Sequence, residues 1–275
     1  MLPVLLHVGP LTIYSFGVCL FFGLLFGLYT WWKLGRDEHW DEIALFDSFF
    51  LSLFIFFVFA RLSYVFMHWT DLHFWYRALS LIAYPGLTYS AGIVGSLLFL
   101  VLFARLRGWE IRKVWDSAVV ALSVILIFTA VGACLGGSSV GIPWRWGIVA
   151  SDMVRRLPAD LWTAVWAPVT YVMVSRVRKN FRFYLWYRRD ATVARDGLAT
   201  LLFAAMVGLF YLVRGFLVVT GWHVWRVPGM ALVGFCLLGA SLGAIILQRG
   251  EEHGGGGGQP FGRLLQWVNK KKRRV

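Results

Sequence analysis

The chain has 275 residues, 59% of them hydrophobic and only 15% charged, with a mean hydropathy of +0.68 and a formal net charge of +13. A soluble domain has about half its residues apolar and about a quarter charged, so this composition excludes an ordinary soluble globule. Apolar runs near the roughly 20 residues needed to cross a bilayer point instead to an all-α polytopic membrane protein.

The first ten residues, MLPVLLHVGP, hold no Lys or Arg and so lack the charged start of a secretory signal peptide. The first apolar run is therefore read as a retained span. In chain order the candidate spans are 11–32, 45–67, 86–107, 114–136, 159–176, 196–219 and 227–248, seven in all. The fifth is short and carries Asp160 and Pro168. Many tryptophans flank the runs, among them Trp31, Trp32, Trp109, Trp115, Trp222 and Trp225, where an amphipathic ring favours the headgroup zone. Cys19, Cys134 and Cys236 are scattered through apolar segments, with no disulfide framework and no metal-ligand spacing, so no metal or cofactor is expected.

Orientation follows from the loops. Connectors after spans one, three and five, together with the C-terminal tail, hold 20 of the 27 Lys and Arg, whereas the opposite connectors hold five. The positive-inside bias then places the N-terminus outside and the C-terminus in the cytoplasm. This one-sided distribution also explains the basic balance without a nucleic-acid partner. Residues 1–250 are expected to form one membrane domain. Residues 251–275 form a Gly-rich linker with a basic end, read either as a dock for anionic headgroups or as a solvated topology signal. The loop RVRKNFRFYLWYRRD interleaves basic and aromatic residues, as a membrane-surface segment does.

The two remaining arginines, Arg61 and Arg214, lie inside apolar runs. An intramembrane guanidinium costs several kcal/mol by rough estimates, so it lines a cavity, meets a partner or snorkels to the surface. Each is expected about five or six residues before the outer end of its span, or roughly 8–9 Å of helix. A pair at one level suits a phosphate headgroup. The same level receives GLTYSAGIVG, with the hydroxyls of Tyr89 and Ser90, and AVGACLGGSSVGIPWRWG, whose Gly137 and Gly141 permit tight turns and exposed amides. Such glycines serve either packing or anion binding.

These segments, in this order over nearly all of residues 8–220, resemble the prolipoprotein diacylglyceryl transferase family. VGPLTIYSFG resembles the family's opening, with Pro10 and Gly17 in place; ARLSYV resembles its GRxxYV segment, matching Arg61 and Tyr64. The run from Asp116 to Pro143 follows the family signature without a gap, with Gly132, Gly137 and Gly141 in register. LPADLWT resembles HPxQLYE, and Arg214 stands at the late intramembrane arginine.

The resemblance implies seven spans in a bacterial plasma (inner) membrane. It also implies transfer of a diacylglyceryl group from phosphatidylglycerol to the lipobox cysteine of an exported prolipoprotein. The expected partners are thus phosphatidylglycerol or another anionic phospholipid, and a prolipoprotein signal peptide. The implied substrate-binding residues are Arg61, Arg214, Tyr64, Tyr89, Ser90, Gly137 and Gly141. Several polar positions differ: Ser90 stands at the family's histidine, Ala130 at its signature arginine, Phe16 at a tyrosine and Val218 at a glutamate. A base for the thiol would then come from a loop histidine, His68 or His73. The alternative is a catalytically silent relative that binds phospholipid or a lipoprotein partner. A solute transporter is a weaker third reading, because corresponding halves show no pair of interrupted spans.

Overall fold

Hydrocarbon offers no hydrogen-bond partner to a backbone, so apolar runs of this length satisfy their amides internally as helices. The computed structural model describes residues 4–8, 11–69, 80, 84, 86–136, 141–149, 155–157, 159–187, 197–218, 223–224 and 227–253. Among these residues seven helices follow one another: α1 (Ser15–Asp37), α2 (Glu42–Met67), α3 (Tyr89–Leu106), α4 (Ile111–Gly136), α5 (Ala159–Tyr187), α6 (Leu198–Leu217) and α7 (Gly229–His253). All but α5 are long and apolar enough to cross a membrane, and the chain is a multi-pass membrane protein.

Most boundaries shift by a few residues from the sequence expectation, and three of the shifts have a visible cause or consequence. The first span was expected from residue 11, but residues 11–14 are strand β2 (Leu11–Tyr14), paired antiparallel with β1 (Val4–Val8). Thr12, Ile13 and Tyr14 are β-branched or aromatic and favour that state. Helix α5 runs to Tyr187, so the basic-aromatic stretch continues a helix rather than starting a separate segment. Helix α6 stops at Leu217, because Val218 leaves it to bridge with Gly141.

The chain divides into two compact units, Met1–Ser139 with Asp160–Val172, and Val140–Ala159 with Met173–Val275. In the first, α1 and α4 pack antiparallel through a glycine face. Gly23 lies against Phe128 and Ile125, Gly27 against Ile125 and Ala121, and Gly132 against Phe16 and Cys19. Helices α2 and α3 are likewise antiparallel, with the Thr88 N–H donating to the Ala60 carbonyl at 3.0 Å and Gly92 against Phe56.

At the other end of these four helices sits an aromatic cluster. Trp31, Leu45, Leu100, Ala104 and Val114 are buried, with Trp40 and Trp109 packed around them. The Trp31 Nε1–H donates to the Leu45 carbonyl and to Ser48 Oγ, both at 3.1 Å, which satisfies the one polar atom that burying an indole brings. Trp40 stacks on Trp109 with centroids 4.7 Å apart. Outward faces carry Phe21, Phe54 and Leu98 in the open, as expected where acyl chains replace water.

In the second unit α6 and α7 pack antiparallel, Gly208 and Leu212 against Gly234, Gly208 against Leu238 and Gly215 against Ala231. Between lipid-immersed helices there is no hydrophobic drive, so close backbone approach through small residues supplies the attraction. A Cβ at Gly208 would sit 2.7 Å from the Leu238 amide nitrogen, whereas one at Gly239 meets nothing within 4 Å. Gly208→Ala is therefore expected to destabilise the pair by about 1–3 kcal/mol through overpacking. Gly239→Ala should be neutral or stabilising by up to about 1 kcal/mol through helix propensity. Denaturant titration of the two variants in detergent micelles checks the contrast.

Candidate functional site

Where α2 approaches its end, Arg61 turns its guanidinium onto the connector that leads to α3. Nη1 donates to the carbonyls of Tyr84 at 2.9 Å and Gly86 at 3.0 Å, and Nη2 donates to the Ser80 carbonyl at 3.1 Å. The rigid fork of an arginine suits several acceptors at once. The need is local: a connector next to a membrane-depth helix end leaves carbonyls with no helical donor, and Pro85 brings no N–H to share. The Tyr64 ring lies against the α-carbon of Gly86, so closely that a Cβ there would enter the ring. The Arg61 guanidinium carbon lies 5.7 Å from the same ring centre, and the His68 imidazole stacks on Tyr64 at 4.3 Å.

His68 caps α2. Its Nδ1 lies 3.1 Å from the Tyr64 carbonyl oxygen, which also receives the His68 backbone N–H. A carbonyl only accepts, so in the neutral ring Nδ1 carries the proton and the lone pair resides on Nε2. His68 is exposed, so that nitrogen is accessible from outside the unit. Tyr89 and Ser90 open α3 two residues beyond the Thr88–Ala60 bond, both exposed. Arg61, Tyr64 and His68 are thus brought together with the start of α3. His73 lies outside the described residues.

The second polar helix end is built around Gly141. Gly141 bridges antiparallel to Val218, and the Ile142 N–H donates to the Leu217 carbonyl at 3.0 Å. On its other side Ile142 accepts from the Leu157 N–H at 3.0 Å, and Arg156 Nη1 donates to the Gly141 carbonyl at 3.3 Å. Gly141 is buried, and a side chain there would strike the Leu157 carbonyl. Arg214 lies in the last turn of α6, its carbonyl accepting from the Val218 N–H and its guanidinium carbon 5.7 Å from the Phe210 ring centre. That puts it nearer the helix end than the five or six residues expected, because the bridge to Gly141 ends α6 early. Gly137 lies outside the described residues.

Arg61 belongs to the first unit and Arg214 to the second. Ala130 is buried, at 3% exposure, and the Asp160 carboxylate is buried in the first turn of α5, near the positive end of that helix. Two roles escaped the sequence reading. Arg156 donates to the Gly141 carbonyl, and Gly86 seats the Tyr64 ring. The dipeptide Pro85-Gly86, a turn signal, was the available hint for the second.

Six helices long and apolar enough to cross a membrane, with arginines clasping backbone near helix ends, define a multi-pass membrane protein. Residues 3–218 match the model of the prolipoprotein diacylglyceryl transferase family, and the chain belongs to that family. Relatives named phosphatidylglycerol–prolipoprotein diacylglyceryl transferase agree. One from Mesorhizobium japonicum is 24% identical over 200 residues, covering 66% of this chain and 68% of its own. One from Geobacillus kaustophilus is 32% identical over 147 residues, covering 52% and 48%, and one from Brucella anthropi is 26% identical over 187 residues, covering 59% and 62%. The aligned part thus spans about half to two thirds of these relatives' lengths.

Removing the Arg61 fork takes a donor from three carbonyls, of which that of Ser80 still accepts from the Tyr84 N–H at 3.3 Å. Arg61→Leu is expected to lower stability by about 2 kcal/mol or more. Arg61→Lys should recover only part of it, since one ammonium cannot span all three. Gly86→Ala is expected to be similarly harmful and to be relieved by Tyr64→Ala in the double variant. Thermal unfolding of wild type, the two Arg61 variants, Gly86→Ala, Tyr64→Ala and the double variant reads out both effects, and additive losses for Gly86 and Tyr64 would contradict the contact.

Proposed function

We propose that the chain transfers the diacylglyceryl group of phosphatidylglycerol to the lipobox cysteine thiol of exported prolipoproteins in the bacterial plasma (inner) membrane. The family match over residues 3–218 carries this reading, because it takes in both polar helix ends from Arg61 to Arg214. In this reading the N-terminus is outside, the body comprises residues 1–250, and residues 251–275 form a cytoplasmic basic tail.

The reaction makes a carbon–sulfur bond at a glyceryl carbon while the bond from that carbon to a phosphate oxygen breaks. The thiol must lose its proton to become nucleophilic. His68 Nε2 is the base we assign, since the Tyr64 carbonyl fixes the other ring nitrogen as the donor. The departing glycerol phosphate takes up negative charge, and Arg214 supplies the compensating cation. Arg61 acts by holding the connector, and with it Tyr89 and Ser90, at the level where a headgroup would lie. Gly137 and Gly141, in register with the family signature, complete the proposed substrate-binding set.

Purified protein, phosphatidylglycerol and a lipobox peptide should yield a lipid-modified peptide by mass spectrometry. Arg214→Gln is expected to lower kcat/KM by about 100-fold or more, the usual consequence of losing a charge-stabilising donor. His68→Gln should lower it by about 100-fold or more as well, and Ser90→His should restore part of that loss. An unchanged rate in His68→Gln would remove His68 from the mechanism. No transfer at all from wild-type protein that retains phosphatidylglycerol would leave a lipid-binding protein in place of an enzyme.

A further inference from the structure

Between α4 and α5 the chain forms a hairpin of β3 (Pro143–Val149) and β4 (Arg155–Arg156), which plays no part in the chemistry above. Its pairing is uneven. Pro143 and Ile148 both face Arg156, while Val149 faces Arg155, so residues 144–147 stand out of the ladder as a bulge. Bulges re-aim side chains, and this one presents Trp144, which is 51% exposed, and Arg145, also exposed. Arg155 is exposed on the opposing strand, and Arg156 is turned inward to the Gly141 carbonyl. Residues 143–157 hold three arginines and one acidic residue, Asp152, which lies outside the described residues.

The base of this hairpin is fixed at a membrane boundary. The Leu217 carbonyl that closes α6, a candidate span, accepts from Ile142, the residue just before β3. A bulge carrying an exposed indole and a guanidinium therefore stands at the depth where headgroups begin, which is where tryptophan and arginine are favoured together. The geometry points to a lipid-surface contact: Trp144, Arg145 and Arg155 form a cationic and aromatic finger that engages anionic phospholipid headgroups of the leaflet in which α6 ends. The indole enters the interface and the two guanidiniums each pair with phosphate oxygens, so the finger prefers an anionic lipid over a zwitterionic one. Trp144, Arg145 and Arg155 are none of the residues assigned to the transfer reaction, and this contact does not depend on the transferase reading.

The test is hydrogen exchange of the hairpin amides in the full-length chain, reconstituted in nanodiscs of phosphatidylcholine alone or with increasing phosphatidylglycerol. Wild-type protein is expected to gain protection at residues 144–149 and 155–157 as phosphatidylglycerol rises. Arg145→Gln with Arg155→Gln should raise the mole fraction giving half-protection by about tenfold or more. The matching double lysine variant should stay close to wild type. Both arginines are exposed, and equal protection of α2 and α3 amides in every variant verifies the fold. Equal hairpin protection in both lipids overturns the proposal. So does phosphatidylglycerol-dependent protection that survives the double glutamine change, since the lipid would then be held elsewhere. Protection produced by a lipobox peptide but not by lipid would also overturn it and make the finger a peptide-docking surface. No transfer step enters the measurement, so its outcome is read independently of any transferase assay.

Discussion

Every backbone carbonyl near hydrocarbon must find a donor, and this fold is organised by how that demand is met where helices stop. Within a helix the chain meets it alone. At the ends it recruits side chains and neighbouring strands: Arg61 donates to three connector carbonyls, and the last carbonyl of α6 is taken by the amide of Ile142. Both residues that looked like isolated charges in apolar runs thus lie at such ends. Their charge is compatible with membrane depth because backbone dipoles or a nearby interface surround it.

The same demand explains the glycines. A backbone can pair with or pack against another only where no side chain intervenes, so glycine marks each close approach. Gly86 accepts the face of Tyr64, Gly141 admits the Leu157 carbonyl, and Gly208, Gly215 and Gly234 let α6 and α7 touch. These glycines therefore hold close approaches that no residue with a side chain would permit without a shift.

The helices themselves were legible because an apolar run of some 20 residues has one stable form in lipid, and six of the seven expected spans appear as long apolar helices. The family was legible from Arg61, Tyr64, the signature glycines and Arg214 in order. What the sequence concealed depends on pairing between distant segments. Nothing in LTIY distinguishes a short strand from the first turn of a span until Val4 to Val8 lie beside it. Nothing near Arg214 foretells that Gly141 will end its helix. The carbonyl partners of Arg61 were not legible either, because they are main-chain acceptors some 20 residues on, and a sequence shows side chains rather than carbonyl directions.

At the opposite end of α2 from Arg61, Trp40 and Trp109 lie face to face, 4.7 Å apart and 10° from coplanar, one in each of two connectors joined by no covalent shortcut. Two indoles stacked this closely couple electronically, and that coupling is lost once the rings part. The chain thus carries its own optical gauge for whether the α1–α2 and α3–α4 turns are closed on each other, with no dye or label attached.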